Sequence, residues 1–162
     1  MNLSFNSVLE EIEKSEAFKN FKKTNPSAYL CAGFFVLDYE NNLNQKQLDY
    51  SLENGSIFTF ILDKEITIKQ AETMEGNKKL KQLKKGIKVD LDKIEEILAE
   101  KTKGKKILKI IAVLQENEGR QIWNINSVLQ GMGILKSYID SFTGEIIKFE
   151  EKSMFDFIKK IK

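Results

Sequence analysis

Asp140 is the carboxylate in this sequence that is best placed to do chemistry, because it stands at a turn between two apolar runs. It opens the sequence Asp-Ser-Phe-Thr-Gly-Glu, which lies between residues 134–139 and 146–149. A carboxylate at a strand end can act as a general base, or it can accept backbone hydrogen bonds across its own turn. The tight turn, in which Gly144 can take a positive φ, favours the second role.

Other routes to catalysis are poorly supplied. The chain has no histidine, so proton transfer would fall to carboxylates or lysines, which are spread over predicted helix faces and turns. It has no Gly-rich phosphate loop before a helix, no Cys or His pair for a metal and no Ser with a candidate base. The sequence therefore predicts no catalytic residue, no metal site and no cofactor. A small carboxylate-dependent enzyme is the third of three functional hypotheses.

A cluster of lysines gives the second hypothesis, nucleic-acid binding. Clustered lysines can contact phosphates, but no arginine or aromatic residue accompanies these to stack on bases. The net charge of +2 also provides no field over the whole molecule. A solvent-exposed connection is the competing interpretation, and we expect nucleic acid not to be the main partner. The cluster consists of Lys78, Lys79, Lys81, Lys84, Lys85 and Lys88.

Cysteine usage and hydropathy indicate the compartment. Cys31 is the single cysteine, so an internal disulfide is excluded and a reducing compartment is favoured. It lies in the apolar run 29–37, where we expect it to be buried and unreactive. No apolar run approaches the roughly 18 residues that span a bilayer, and residues 1–5 do not begin a secretory signal. We expect a cytoplasmic protein without a membrane span.

The segments that position these residues form two halves with the same order of elements. In the first half, Ser7 opens a capping box and Ser15 provides a second helix cap; in the second half, Asp90 caps a helix. Strands follow each helical region, separated by polar or Gly-marked turns. Alternating or apolar runs predict eight strands, at residues 27–39, 47–52, 57–62, 66–68, 107–114, 123–125, 134–139 and 146–149.

This order predicts an α+β protein of two units, each a helix packed on an antiparallel meander sheet. We place the first unit at residues 1–70, a Lys-rich linker at 71–88 and the second unit at 89–150. Residues 151–162 form an amphipathic pattern, with Ser153 as a cap, that predicts a C-terminal helix. This helix could cover the protein's own sheet or that of a partner, or lie on a membrane surface.

The run 27–39 is apolar on both of its alternating sets. This pattern is typical of a central strand that is covered on both faces, or of a strand at a subunit contact. A homodimer is therefore among the expected assemblies. The two units could pair at strand edges or pack face to face.

The second half resembles the PepSY domain family. Its signature is an Asp, two free positions, Thr-Gly and an acidic or similar residue, which Asp140, Thr143, Gly144 and Glu145 match position by position. The strand at Trp123 and the helix that Asp90 opens also fit. The resemblance implies a cystatin-like helix-and-sheet fold, in two units if the first half belongs to it as well. It also implies a non-enzymatic role, because such domains occur in protease propeptides and in envelope or secreted proteins, where binding or inhibition is proposed.

The first functional hypothesis is therefore a non-catalytic module that binds a protein or peptide at a sheet edge, a groove or a hairpin tip. Phe142 at the hairpin tip and Tyr138 beside it are the candidate contact residues. Phe142 has two interpretations: an exposed tip aromatic that contacts a partner, or a side chain that folds back over Trp123.

Overall fold

The computed structural model describes residues 3–71, 80–131 and 133–153, which form three helices and eight strands. All eight predicted strands are present, and the prediction of an α+β protein with an antiparallel sheet is confirmed. The elements follow one another as α1 (Phe5–Glu13), α2 (Glu16–Thr24), β1 (Tyr29–Asp38), β2 (Gln45–Ser51), β3 (Ile57–Leu62), β4 (Ile66–Ala71), α3 (Leu91–Lys101), β5 (Ile107–Asn117), β6 (Arg120–Leu129), β7 (Gly133–Asp140) and β8 (Ile146–Ser153).

The strands form one sheet, in the order β4-β3-β2-β1-β5-β6-β7-β8, and every neighbouring pair is antiparallel. Each half of the chain is a four-stranded meander. The first strands of the two meanders pair in the middle of the sheet, from Gly33 opposite Leu114 to Asp38 opposite Lys109. The two halves of the chain thus pair edge to edge and share one sheet.

The hydrophobic core lies on the face of the sheet that carries the helices. Residues of all three helices belong to the same buried cluster as alternate residues of the strands. At its centre Phe5 of α1 makes edge contacts with Phe35 and Trp123, with ring centroids 6.2 and 6.4 Å apart. Phe18 and Phe21 of α2 pack on the rings of the first half. One core therefore joins both halves of the chain.

The helix starts depart in one place from the sequence prediction. The Ser15 hydroxyl caps α2 as predicted and accepts from the N–H of Phe18 at 3.1 Å. For α1, however, the predicted cap at Ser7 is wrong. The helix begins one turn earlier, where the Ser4 hydroxyl accepts from the N–H of Ser7 at 3.0 Å. The reason is that Phe5 is fully buried, so the first turn is held against the core.

Asp90 caps two helices at once. Its Oδ1 accepts from the N–H of Leu91 at 2.7 Å, which caps α3 as predicted. The same oxygen accepts from the N–H of Phe5 at 2.7 Å, and Oδ2 accepts from the N–H of Asn6 at 3.0 Å. Orphan N–H groups of α1 and α3 thus share one carboxylate, which is the charge that helix N-termini favour.

Residues 80–90, which we call the strap, correct the linker interpretation of residues 71–88. Ala71 ends β4, and the strap packs on the core through Leu83, Ile87 and Val89, which are all buried. The N–H of Leu83 donates to the carbonyl of Leu30 at 2.8 Å, which ties the strap to β1. Apolar residues spaced among the lysines explain the packing, because the lysines can remain in water while these residues are buried. Residues 72–79 lie outside the described residues, and Lys78 and Lys79 with them.

The predicted C-terminal helix at residues 151–162 also needs correction at its start. Residues 151–153 belong to β8, where Glu151 pairs with Leu135 and Ser153 pairs with Gly133. Ladder pairing with β7 therefore extends through the expected cap at Ser153. The remainder, residues 154–162, lies outside the described residues. Of the helices in the described part of the chain, none is long and apolar enough to cross a membrane.

Candidate functional site

The face of the sheet opposite the helices carries an apolar centre between polar borders. Side chains alternate between the two faces along a strand, and directly paired residues share a face. Because Phe35, Leu114 and Trp123 point into the helix-side core, their neighbours along the strands point to the opposite side. We call eight of these side chains the outer face: Phe34, Val36, Ile111, Val113, Asn124, Asn126, Lys136 and Tyr138.

The strand register places these eight side chains in two rows. In one row Phe34 pairs with Val113, which pairs with Asn124, which pairs with Tyr138. In the other row the same pairings join Val36, Ile111, Asn126 and Lys136. The two central pairs of the outer face are therefore entirely apolar, and each pair has one member from each half of the chain.

The apolar centre is only partly shielded from solvent. Phe34, Ile111 and Val113 are half-buried, while Val36 is 7% exposed. An antiparallel sheet with helices on one face normally carries polar residues on its other face. Four apolar side chains at the middle of this face are thus the feature that the helix-side core does not explain.

A basic and aromatic border closes the outer face on the β7–β8 side. The Nζ atoms of Lys136 and Lys148 lie 5.7 and 5.5 Å from the centroid of the Tyr138 ring, within the range of a cation–π contact. Glu150 forms ion pairs with Lys148 at 3.7 Å and with Lys152 at 3.4 Å. Among the described residues, Lys136 makes no ion pair. Tyr138, one of the two contact residues predicted from the sequence, therefore belongs to this face.

The opposite border is formed by Gln47, which pairs with Phe34, and Gln45, which pairs with Val36, and the carboxylate of Asp49 lies one pair beyond them. Asp49 of β2 pairs with Ala32 and Thr59, and its Oδ1 accepts from the Thr59 hydroxyl at 2.7 Å. Burial raises the pKa of the Asp49 carboxyl above its usual range, and the hydrogen bond from Thr59 offsets only part of this effect. Cys31 is fully buried next to it, as predicted, and burial together with the Asp49 charge raises the pKa of its thiol to about 12. Such a thiol is not a nucleophile near neutral pH.

Asp140 holds the predicted hairpin together. Its Oδ1 accepts from the N–H groups of Phe142 at 2.8 Å and Thr143 at 2.9 Å, and its Oδ2 accepts from Arg120 Nε at 3.1 Å. Although burial acts to raise it, these hydrogen bonds hold the pKa of Asp140 below its usual range. Arg120 also contacts Glu145 at 2.6 Å. The carboxylate is therefore ionised and fully used by its own turn, which is a structural role.

The other hairpin residues also serve to fix the turn against the strap. Gly144 has φ +78°, and a Cβ atom there would lie 3.4 Å from Val89 Cγ2. The Thr143 hydroxyl accepts from the N–H of Glu145 at 3.2 Å. Phe142 is half-buried and packs against the hydrophobic core. The interpretation in which its side chain folds back onto the protein therefore fits better than that of an exposed contact residue. The sequence motif thus stabilises the fold at the end of β7.

The described lysines of the strap do not form a single free basic surface. Lys85 forms an ion pair with Glu13 at 2.5 Å. Lys88 is exposed to solvent. Lys81 and Lys84 line a cleft of about 320 Å³ beside the hairpin together with Arg120, but Glu116 and Asp140 line it as well. The cleft therefore has mixed charge. Within the described chain, no group of three or more His, Cys, Asp or Glu side chains could hold a metal ion.

Most residues of the outer face are not among the candidate residues predicted from the sequence. The strand that holds Phe34 and Val36 is predicted to be covered on both faces, because both of its alternating sets are apolar. An equivalent signal is present in β5, where Ile111 and Val113 form a second apolar set beside the core set. Only the pairing of β1 with β5 brings the two sets together.

In comparisons with known proteins, no family model and no curated protein sequence matches this chain. Its structure is similar to a crystal structure described as a "putative lipoprotein" from Clostridium difficile 630. The TM-score is 0.58 and the sequence identity 14%, over 85% of this chain and 91% of the other. At this level of identity the likeness shows a shared fold.

Proposed function

We propose that this chain is a non-catalytic module that binds a protein or peptide segment across the outer face of its sheet. The observation that carries the proposal is the apolar centre, in which Phe34 pairs with Val113 and Val36 pairs with Ile111. The helix-side core already supplies burial for folding, and Phe34, Ile111 and Val113 keep part of their surface in solvent, so these three residues are available to bury apolar groups of a partner. The amides of Asn124 and Asn126 next to them can donate and accept hydrogen bonds.

The other binding modes expected from the sequence have less support. At the hairpin tip, Phe142 packs on the core and Asp140 is used by its own turn. At one sheet edge, β8 carries Lys148, Glu150 and Lys152, and charges on an edge strand oppose pairing with another strand. On the outer face, by contrast, apolar and polar groups are arranged in register.

The proposal keeps the PepSY-like character of the second half and extends it to two cystatin-like units. In each half, helices pack on one face of a four-stranded meander, which supports this description. The hairpin of Asp140, Thr143 and Gly144 supports the resemblance for the second half. Nucleic-acid binding through the strap has weaker support, because the cleft beside the described lysines also contains carboxylates.

A selection of random peptides displayed on phage tests the proposal. The double variant Ile111→Thr/Val113→Thr removes apolar surface and keeps β-branched residues, so the strands remain favoured. We expect peptides selected on the unmodified protein to bind this variant about tenfold more weakly, since roughly 1.4 kcal/mol of apolar contact is lost.

The matched control is Ile68→Thr, which changes a residue of the edge strand β4 that pairs with Phe60 and so faces the helix side. Ile68 is 38% exposed, and its replacement should leave peptide binding unchanged. Peptides that bind the double variant as well as the unmodified protein, or a selection that enriches no peptide, would show that the outer face is not the binding surface.

A further inference from the structure

The outer face is electrically polarised along the direction that crosses the strands. At the β7–β8 border, Lys136, Lys148 and Lys152 stand against one carboxylate, Glu150, which leaves a local charge of about +2. At the opposite border, Gln47 pairs with Phe34 and Gln45 pairs with Val36, while Asp49 lies opposite Ala32, outside the two rows. The apolar centre lies between the two borders. A ligand that lies across the strands therefore meets amide groups, apolar surface and base in turn.

We infer that the outer face takes an acidic, amphipathic protein segment, with its aliphatic side chains on Phe34, Ile111 and Val113 and its carboxylates over Lys136 and Lys148. The inference rests on the proposed function and names the class of partner. Glu150 shares its charge between Lys148 and Lys152. Lys136 stands opposite Glu150 in the register, but within the described chain no carboxylate lies at ion-pair distance from it. Its charge is therefore open to a partner carboxylate.

An acidic protein segment fits this surface better than a nucleic acid. Single-stranded nucleic acids bind surfaces on which successive bases stack on aromatic rings within a positive groove. Here Phe34 and Tyr138 are three strands apart, and the residues between them are aliphatic or amide. Aliphatic side chains and a run of carboxylates match what the face presents.

The dimensions set the length of the segment. From β1 to β8, the strand of Lys148, there are four steps between neighbouring strands, which corresponds to about 19 Å at ~4.8 Å per step. An extended segment covers this distance with about six residues, at ~3.3 Å per residue. A helix needs about 13 residues, at ~1.5 Å per residue. Short synthetic peptides are thus sufficient probes.

The test uses three fluorescein-labelled peptides of about 13 residues, each with Ile and Val at one end. Glu occupies the other end of the first peptide, Lys that of the second and Gln that of the third. Oligothymidylate serves as a fourth probe. Binding is followed by fluorescence anisotropy, and the binding surface by the backbone amide shifts of Ile111, Val113 and Asn126 in NMR spectra.

We expect the Glu peptide to bind most tightly and to shift the amides of the outer face. The variant Lys136→Glu/Lys148→Glu should weaken it by about tenfold or more, because two attractions become repulsions of similar size. The control variant Lys19→Glu/Lys93→Glu makes the same change of net charge on exposed residues of α2 and α3. It should change binding by less than about twofold, since those charges lie on the other side of the sheet and are screened.

Two outcomes would overturn the inference and leave the proposed function standing. In the first, the Gln or Lys peptide shifts the same amides with equal or higher affinity than the Glu peptide. In the second, the charge-reversed variant binds the Glu peptide as well as the unmodified protein does. If only oligothymidylate binds, or if no peptide shifts the outer-face amides, both the inference and the proposed function fail.

Discussion

Replacement of Asp90 by alanine tests whether one carboxylate holds the two halves of the molecule together. Asp90 precedes α3 in the second half, yet it also accepts from the N–H groups of Phe5 and Asn6 in α1. With the bond from Leu91, three backbone N–H groups at two helix N-termini depend on it. Because the site is 9% exposed, water cannot readily replace the lost acceptor.

The expected loss follows from the number of orphaned donors. Loss of a helix cap costs about 1 kcal/mol, and a hydrogen bond to a charged group contributes about 1.5–3 kcal/mol. For two helices that share one cap, we expect Asp90→Ala to lower the free energy of unfolding by about 3 kcal/mol. In a chain of this length, that corresponds to a decrease in Tm of roughly 6–12 °C. Asp90→Asn keeps one acceptor oxygen and should lose about half as much.

Urea unfolding followed by far-ultraviolet circular dichroism measures these differences. The control is Ser15→Ala, which removes the hydroxyl that caps α2 alone and should cost about 1 kcal/mol. If Asp90→Ala is no more destabilising than Ser15→Ala, the shared cap does not contribute as the geometry indicates. A second, separate unfolding transition in Asp90→Ala would instead show that the halves have become independent.

Two further predictions concern stability. Gly144→Ala should lower the free energy of unfolding by about 1–2 kcal/mol in the same urea experiment, because φ is +78° and the new methyl group meets Val89; an unchanged midpoint would contradict this reasoning. Asp49→Asn should raise the Tm at pH 7, because the folded-state pKa of Asp49 is raised by burial and folding therefore disfavours the ionised form. In the unmodified protein, the contribution of Asp49 to stability decreases as pH rises through the ordinary Asp pKa of ~3.9 and up to the folded-state value. The gain in Tm from Asp49→Asn should therefore vanish at more acidic pH. A gain in Tm that persists there would argue against ionisation of Asp49 as its cause.

The strands could be predicted because each one is encoded by local pattern. Alternation, the turn sequence Asn54-Gly55 and the hairpin sequence that ends in Gly144 each act within a few residues. The same is true of the turn role of Asp140, whose hydrogen bonds from Phe142 and Thr143 lie inside its own turn. Local chemistry of this kind depends little on the rest of the fold, so the sequence was sufficient for it.

The strap and the start of α1 could not be predicted because their partners are distant in sequence. Two sets of hydrogen bonds fix the strap. The N–H of Leu83 donates to the carbonyl of Leu30. The Gln121 side chain accepts from the backbone N–H of Lys84 and donates to the backbone carbonyl of Lys84. The helix α1 is fixed by Asp90 and by burial of Phe5. Apolar residues in a lysine-rich segment indicate such packing only after the surface that receives them is known.

The pairing of β1 with β5 connects architecture to the proposed function. Each half alone would expose a long apolar edge strand, because the ladder between Gly33 and Leu114 would be unmade. The same pairing creates the apolar centre of the outer face, since Phe34 and Val36 come from one half and Ile111 and Val113 from the other. A half expressed alone would thus lose its edge protection and half of the apolar centre together. If the outer face is the functional site, the pairing of β1 with β5 is required for function as well as for the fold, because it forms the apolar centre.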